Sequence, residues 1–224
     1  MFEQEKLAVI KAGTQLDRYG LIALSGGNVS CRMPTGEVLV TPSGMIYEDM
    51  VADDILVMDL DGKIIEGTRK ASVDTEALLY IYRHKPNVNA VIHTHQPYAT
   101  AIGQVEDEFK VNLTTLANAT QGSVKVTPFS SAASVDMGID TCNYLGDSLA
   151  VILRHHGVIA VGDSLKQALY ACVYLEEAAK CHIASCSLGT PRMMTDEQIK
   201  QAVEVFKYYG QGTAAPPEEL VKRR

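Results

Sequence analysis

His93-Thr94-His95 ends the apolar run Val88-Asn89-Ala90-Val91-Ile92, and Arg154-His155-His156-Gly157 directly follows a second run, Leu149-Ala150-Val151-Ile152-Leu153. In an extended strand, side chains two apart share a face, so His93 and His95 point the same way. Joined by a histidine from the other strand end, they would form a three-histidine site for a divalent metal such as zinc. One position would remain for a carboxylate, water or substrate. The competing reading is two unrelated loop groups with partly buried rings. His155 flanks such a site, because adjacent strand residues face opposite ways. His84 and His182 fall on predicted helices as packing or surface residues.

Other chemistry lies nearby in the chain. Gly26-Gly27-Asn28 and Thr41-Pro42-Ser43-Gly44 follow short apolar runs and expose backbone N–H groups beside small polar side chains. Such turns can cradle a phosphate, and can equally be ordinary tight turns. Neither fits a nucleotide-binding glycine pattern. Lys70-Ala71-Ser72-Val73-Asp74 opens a helix ahead of the first histidine strand. Asp74 could reach a metal or act as a base near it; alternatively, Ser72 or Asp74 simply caps the helix.

The elements that must position these groups are legible in part. Leu7, Ile10 and Leu16 give Glu3 to Tyr19 a helical period, ending at Gly20. Gly26 to Ser30 forms turns, and Val38 to Val40 is a short strand. Ile55–Met58 and Lys63–Ile65 flank Asp61-Gly62 as a hairpin. Asp74 to His84 is helical, with Leu78, Leu79 and Tyr82 inward. Ala90–His93 and Leu149–Arg154 are buried strands, and Val158–Val161 pairs with the second. A long helix capped by Asp163 or Ser164 runs to Cys186. A last helix starts at the capping box Thr195-Asp196-Glu197-Gln198 and ends before Gly210. Ala214-Ala215-Pro216-Pro217 begins a mobile tail after about residue 211, and Lys222-Arg223-Arg224 is solvated. Hairpins mixed with helices point to a largely antiparallel sheet covered by helices.

With 224 residues and no internal repeat or linker, residues 1–224 suit one domain with a full core. Twenty basic residues against 27 acidic give a net charge of −7, so a nucleic-acid surface is not expected. No apolar stretch approaches the roughly 20 residues of a membrane span. The acidic start lacks the pattern of a signal peptide. Five cysteines without a Cys-X-X-Cys pair suit free thiols in a reducing cytoplasm. The expectation is a cytoplasmic globule.

Taken together, Asn28, Thr41-Pro42-Ser43-Gly44, Lys70-Ala71-Ser72-Val73-Asp74, His93-Thr94-His95 and His155-His156-Gly157 resemble, in order and spacing, the class II aldolase/adducin family. The resemblance runs from the first helix to about Gly210. It implies a three-layer αβα sandwich with a central, mostly antiparallel sheet. It also implies a bound Zn2+ (with Mn2+ or Co2+ as other divalent candidates) and a homotetramer with active sites shared between neighbours. On it, His93, His95 and His156 match the metal ligands. Asp74 matches the acid/base carboxylate, which can also ligate. Asn28, Ser43, Gly44 and Ser72 match positions that hold a substrate phosphate. Tyr209 matches a tyrosine that reaches the neighbouring subunit's site.

The implied activity is cleavage of a ketose 1-phosphate, such as L-fuculose 1-phosphate, into dihydroxyacetone phosphate and an aldehyde. Alternatives are L-ribulose-5-phosphate 4-epimerisation, decarboxylation of an oxo-acid sugar phosphate, and a non-catalytic adducin-head-like binding module. Val73 stands where the family's phosphate loop usually has a second serine, removing one hydroxyl donor. Thr115 sits about where the aldolase has its tyrosine proton donor. Thr41 follows the aldolase branch, whereas Asp74 and the Tyr-Tyr-Gly-Gln ending follow the epimerase branch.

Overall fold

A computed structural model describes residues 1–211 and 213–221; the expected solvated terminus Lys222-Arg223-Arg224 lies outside them. The described strands are β1 (Asn28–Arg32), β2 (Val38–Val40), β3 (Leu56–Met58), β4 (Ile64–Glu66), β5 (Ala90–Thr94), β6 (Glu108–Phe109), β7 (Val124–Thr127), β8 (Ala150–Leu153) and β9 (Gly157–Gly162). The helices are α1 (Glu3–Arg18), α2 (Thr75–His84), α3 (Pro97–Val105), α4 (Thr114–Thr120), α5 (Asp136–Tyr144), α6 (Leu165–Cys186), α7 (Asp196–Phe206) and α8 (Glu218–Val221). The strands join in one sheet, in the order β4-β3-β2-β1-β5-β9-β8-β7-β6. Every pairing is antiparallel except that of β7 with β8.

Side-chain alternation divides the core into two. Val29, Leu39, Ala90, Ile92, Ile152 and Val158 face α1, α3, α4 and α6. Val38, Val40, Val91, Val151, Ile159 and Val161 face α2 and α5. Strands apolar on both faces must be covered on both, which gives the αβα sandwich. Thus the expected fold class is the one observed.

Several local expectations are corrected. Gly26 to Ser30 contains more than a turn: from Asn28 the chain is β1, paired with both β2 and β5. Two flanking strands supply hydrogen bonds that outweigh local turn propensity. Leu7 does not point inward; it is 44% exposed, while Lys6 is 3% exposed and its ammonium meets Glu66 at 2.6 Å. Ser164, not Asp163, caps α6, accepting from the Gln167 N–H. The capping box at Thr195 and Gln198 is present. The helix it opens is not the last, since α8 follows the irregular stretch 213–217.

Candidate metal centre and active site

The register of the central strands brings the sequence motifs together. Asn28 pairs with His93 across β1 and β5, and His93 pairs with Ile159 across β5 and β9. His93, two residues after Val91, therefore points to the α2 side of the sheet, and Asn28 stands beside it. β5 ends at Thr94, and His95 leaves the ladder with its N–H donating to the Leu21 carbonyl at 3.1 Å. His156 arrives from the tight β8–β9 connection, in which its N–H donates to the Leu153 carbonyl at 3.0 Å. His155, at the turn, takes φ 60° and is exposed, so it lies outside the cluster.

The rings of His93, His95 and His156 converge, with centroids 4.7–5.2 Å apart. One donor atom from each lies within 4.8 Å of the others. His93 is fully buried, and its Nδ1 lies 2.9 Å from the Val158 carbonyl. A carbonyl only accepts, so Nδ1 carries the proton and Nε2 presents a lone pair inward. That Nε2 faces the Nε2 of His95 at 3.0 Å. Two imidazole nitrogens directed at one point, one with its tautomer fixed, are the donor set that a borderline divalent ion such as zinc takes. The residues fit a metal.

The electrostatics keep these rings neutral, as ligation requires. Burial, then the neighbouring His156 and His95, pushes His93 down to about 3. Burial also lowers His95, followed by His156, with Asp74 opposing. His156 is lowered by burial against the same carboxylate.

The metal-free protein should therefore lose stability in mild acid. Below the ordinary histidine value of 6.5, the unfolded chain takes up protons that the folded cluster refuses. This contribution is fully present above 6.5 and is lost as the pH falls toward about 3. Melting temperatures of chelator-treated protein between about pH 7.5 and 5 check this, and a temperature independent of pH would contradict it.

Asp74 occupies the N-cap position of α2 but makes no cap bond. Its Oδ2 accepts from Asn28 Nδ2 at 3.0 Å and its Oδ1 from the Ala133 N–H at 3.2 Å. Instead Ser72 closes the turn, its carbonyl accepting from the Thr75 hydroxyl at 2.7 Å. Asp74 is not among the donor atoms within 4.8 Å, although its charge acts on His95 and His156.

The proposed phosphate positions are also gathered here. Asn28 Nδ2 donates to Ser72 Oγ at 3.3 Å, and the Ser43 N–H donates to the Lys70 carbonyl at 2.9 Å. Pro42 bridges Ala71, so Thr41–Gly44 lies alongside Lys70–Ser72, with Gly44 at φ 72°. Tyr209 is 78% exposed and packs on Phe206 at 5.4 Å, with no contact to the histidines. Within this chain it is not part of the cluster.

Sequence reasoning missed the Ala133 N–H, which comes from a loop with no sequence signal beyond its serines. It found Gly157 at the corner but not its close packing: a Cβ there would lie 2.0 Å from the Thr94 carbonyl oxygen and 3.3 Å from His95 Cα. Gly157→Ala should therefore push β9 off β5 between two of the histidines. Its expected cost is about 1–3 kcal/mol of stability, together with weaker metal binding, measured by thermal melts and metal titration.

A sequence model described as the class II aldolase and adducin N-terminal domain matches residues 7–183. A 5-deoxy-D-ribulose 1-phosphate aldolase from Bacillus thuringiensis serovar kurstaki is 28% identical over 212 residues, 94% of this chain and 99% of the relative. Among solved structures, an L-fuculose 1-phosphate aldolase superposes with a TM-score of 0.85 at 26% identity, covering 91% of this chain and 96% of its own. An L-fuculose-1-phosphate aldolase from Thermus thermophilus gives 0.73 at 27% identity, covering 81% and 94%.

Proposed function

This chain belongs to the class II aldolase and adducin N-terminal domain family, and from that premise we propose that it is a zinc-dependent aldehyde-lyase. Its substrate would be a ketose 1-phosphate resembling L-fuculose 1-phosphate, cleaved to dihydroxyacetone phosphate and an aldehyde. The observation that carries this reading is the convergence of His93, His95 and His156 beside Asp74. A binding module would have no use for three imidazoles gathered beside a carboxylate. The relatives' sugar-phosphate substrates support the substrate class.

A divalent ion held by the three histidines would supply Lewis-acid stabilisation of the negative charge left when the carbon–carbon bond breaks. Asp74, outside the ligand set, takes the proton from the hydroxyl on the carbon that becomes the aldehyde. The bond's electron pair passes to the other half, which is released as dihydroxyacetone phosphate after taking up a proton. Asn28, Ser43, Gly44 and Ser72 hold the phosphate through side-chain and backbone donors. Val73 offers only its backbone N–H. Tyr209, exposed on its own subunit, acts as proton donor or orienter in a neighbour's site within a homotetramer. Light scattering tests the assembly.

Zinc-reconstituted protein is expected to release dihydroxyacetone phosphate from L-fuculose, L-ribulose or 5-deoxy-D-ribulose 1-phosphate. Inactivity across a ketose-phosphate panel would sink the reading. An aspartate at position 74 favours one second reading, 4-epimerisation of L-ribulose 5-phosphate. Conversion to D-xylulose 5-phosphate, followed by NMR, separates the two.

A further inference from the structure

We propose that Glu176, acting with Gln96 and Thr94, is a positioning residue that fixes the backbone of His95 and thereby sets the affinity of the three-histidine centre. The inference rests on the metal-binding reading above. His95 lies just past the end of β5, where the sheet no longer holds the chain. Its neighbours are both fully buried, although His95 itself is exposed. The Thr94 hydroxyl donates to Gln96 Oε1 at 2.7 Å, closing a bridge across His95. Gln96 Nε2 then donates to the Cys172 carbonyl of α6 at 3.2 Å.

One turn further along α6, Glu176 completes the grip. Its Oε1 accepts from the Tyr98 N–H and its Oε2 from the Ala99 N–H, both at 3.0 Å. Pro97 has no N–H, so the first two free amides of α3 both end on this one carboxylate. Gln96 holds the N-cap position but makes no cap bond, because its side chain is committed to α6. The cap is thus supplied from 77 residues away, by an acid only 1% exposed. Burying a carboxylate costs more than capping with a local serine or asparagine. What it adds is a fixed distance between α6, which packs on β5 and β9, and the corner that carries His95. Burial raises the Glu176 carboxyl above the ordinary value, with the two amides opposing. Such outer partners typically change metal affinity about 10–100-fold when removed.

The test is cobalt(II) titration of metal-free full-length protein, read by visible absorption and by competition with a chelator. Glu176→Gln, whose amide cannot accept both N–H groups, is expected to weaken cobalt binding about tenfold or more and to change the visible band. Ser164→Ala supplies the control: it removes the α6 cap hydrogen bond, far from this corner, and should lower the melting temperature without changing cobalt affinity. Should Glu176→Gln not fold, Thr94→Val removes only the hydroxyl that bridges His95 and is expected to weaken binding severalfold. A folded variant binding cobalt as tightly as the parent, with an unchanged spectrum, would overturn the inference alone. Failure of the parent to bind cobalt would overturn the metal reading and the inference with it.

Discussion

Replacing His95 or His156 by alanine is expected to weaken divalent-metal binding about 10²–10³-fold and to abolish turnover at micromolar metal. The magnitude follows from a four-ligand zinc site, worth roughly 10–16 kcal/mol in total, so that each ligand supplies about 2.5–4 kcal/mol. These two positions make cleaner probes than His93. His95 is exposed and His156 half-buried, so truncating either leaves no sealed cavity. His93 is fully buried and bonded to the Val158 carbonyl, so its removal would mix loss of folding with loss of metal. Metal content by elemental analysis, metal affinity by titration and circular dichroism distinguish the outcomes. Folded alanine variants that retain one tightly bound metal per chain would contradict the site.

The same three residues mark how far the sequence could be read. Spacing in the chain carries the metal centre because a strand end and a tight hairpin are local features, although His95 itself lies one residue past β5. His-X-His at a strand end and His-Gly at a hairpin corner are visible before any contact is known. The central strands were legible for a related reason: β5, β8 and β9 are apolar on both faces, and few structures other than a covered sheet bury such runs. By contrast, sequence predicts no element between Pro97 and Tyr144, where α3, β6, α4, β7 and α5 form. Several of these are short, and α4 is held by packing against α6 and α7 more than by its own period. β1 was hidden by the Gly26-Gly27 pair just before it and by its own Asn28, a turn signal that only its two partner strands overrule.

The supporting shell was invisible for the opposite reason to the ligands. The contacts of Glu176 with Tyr98 and Ala99, and of Ala133 with Asp74, join residues 59 to 78 positions apart through main-chain groups. A main-chain donor leaves no mark on residue type. Ala133 even takes φ 65°, an uncommon conformation for a residue with a Cβ. Its amide is thus directed at Asp74 by loop geometry that no pattern announces. Side-chain chemistry in this site is written in the sequence, and its aim is written in the fold.

Asp74→Asn should reduce the rate of carbon–carbon cleavage by about 10²–10⁴-fold, the usual range for loss of a general base, while the fold and most of the metal affinity survive. Survival of the fold follows from the local hydrogen bonds. The carboxylate now accepts from Asn28 Nδ2 and from the Ala133 N–H. The substituted amide keeps its oxygen toward Ala133 and turns its NH₂ toward Asn28. Asn28 Oδ1 is buried with no hydrogen-bond partner among the described residues, so an amide flip there can receive it. Metal affinity should fall by about tenfold, the low end for losing a group outside the ligand shell, because the variant removes a nearby negative charge and no ligand atom. Were Asp74 instead a fourth ligand, affinity would drop by the same factor as in the histidine variants. Turnover and metal titration on one preparation therefore separate base from ligand, and an unchanged turnover number would remove Asp74 from the mechanism altogether.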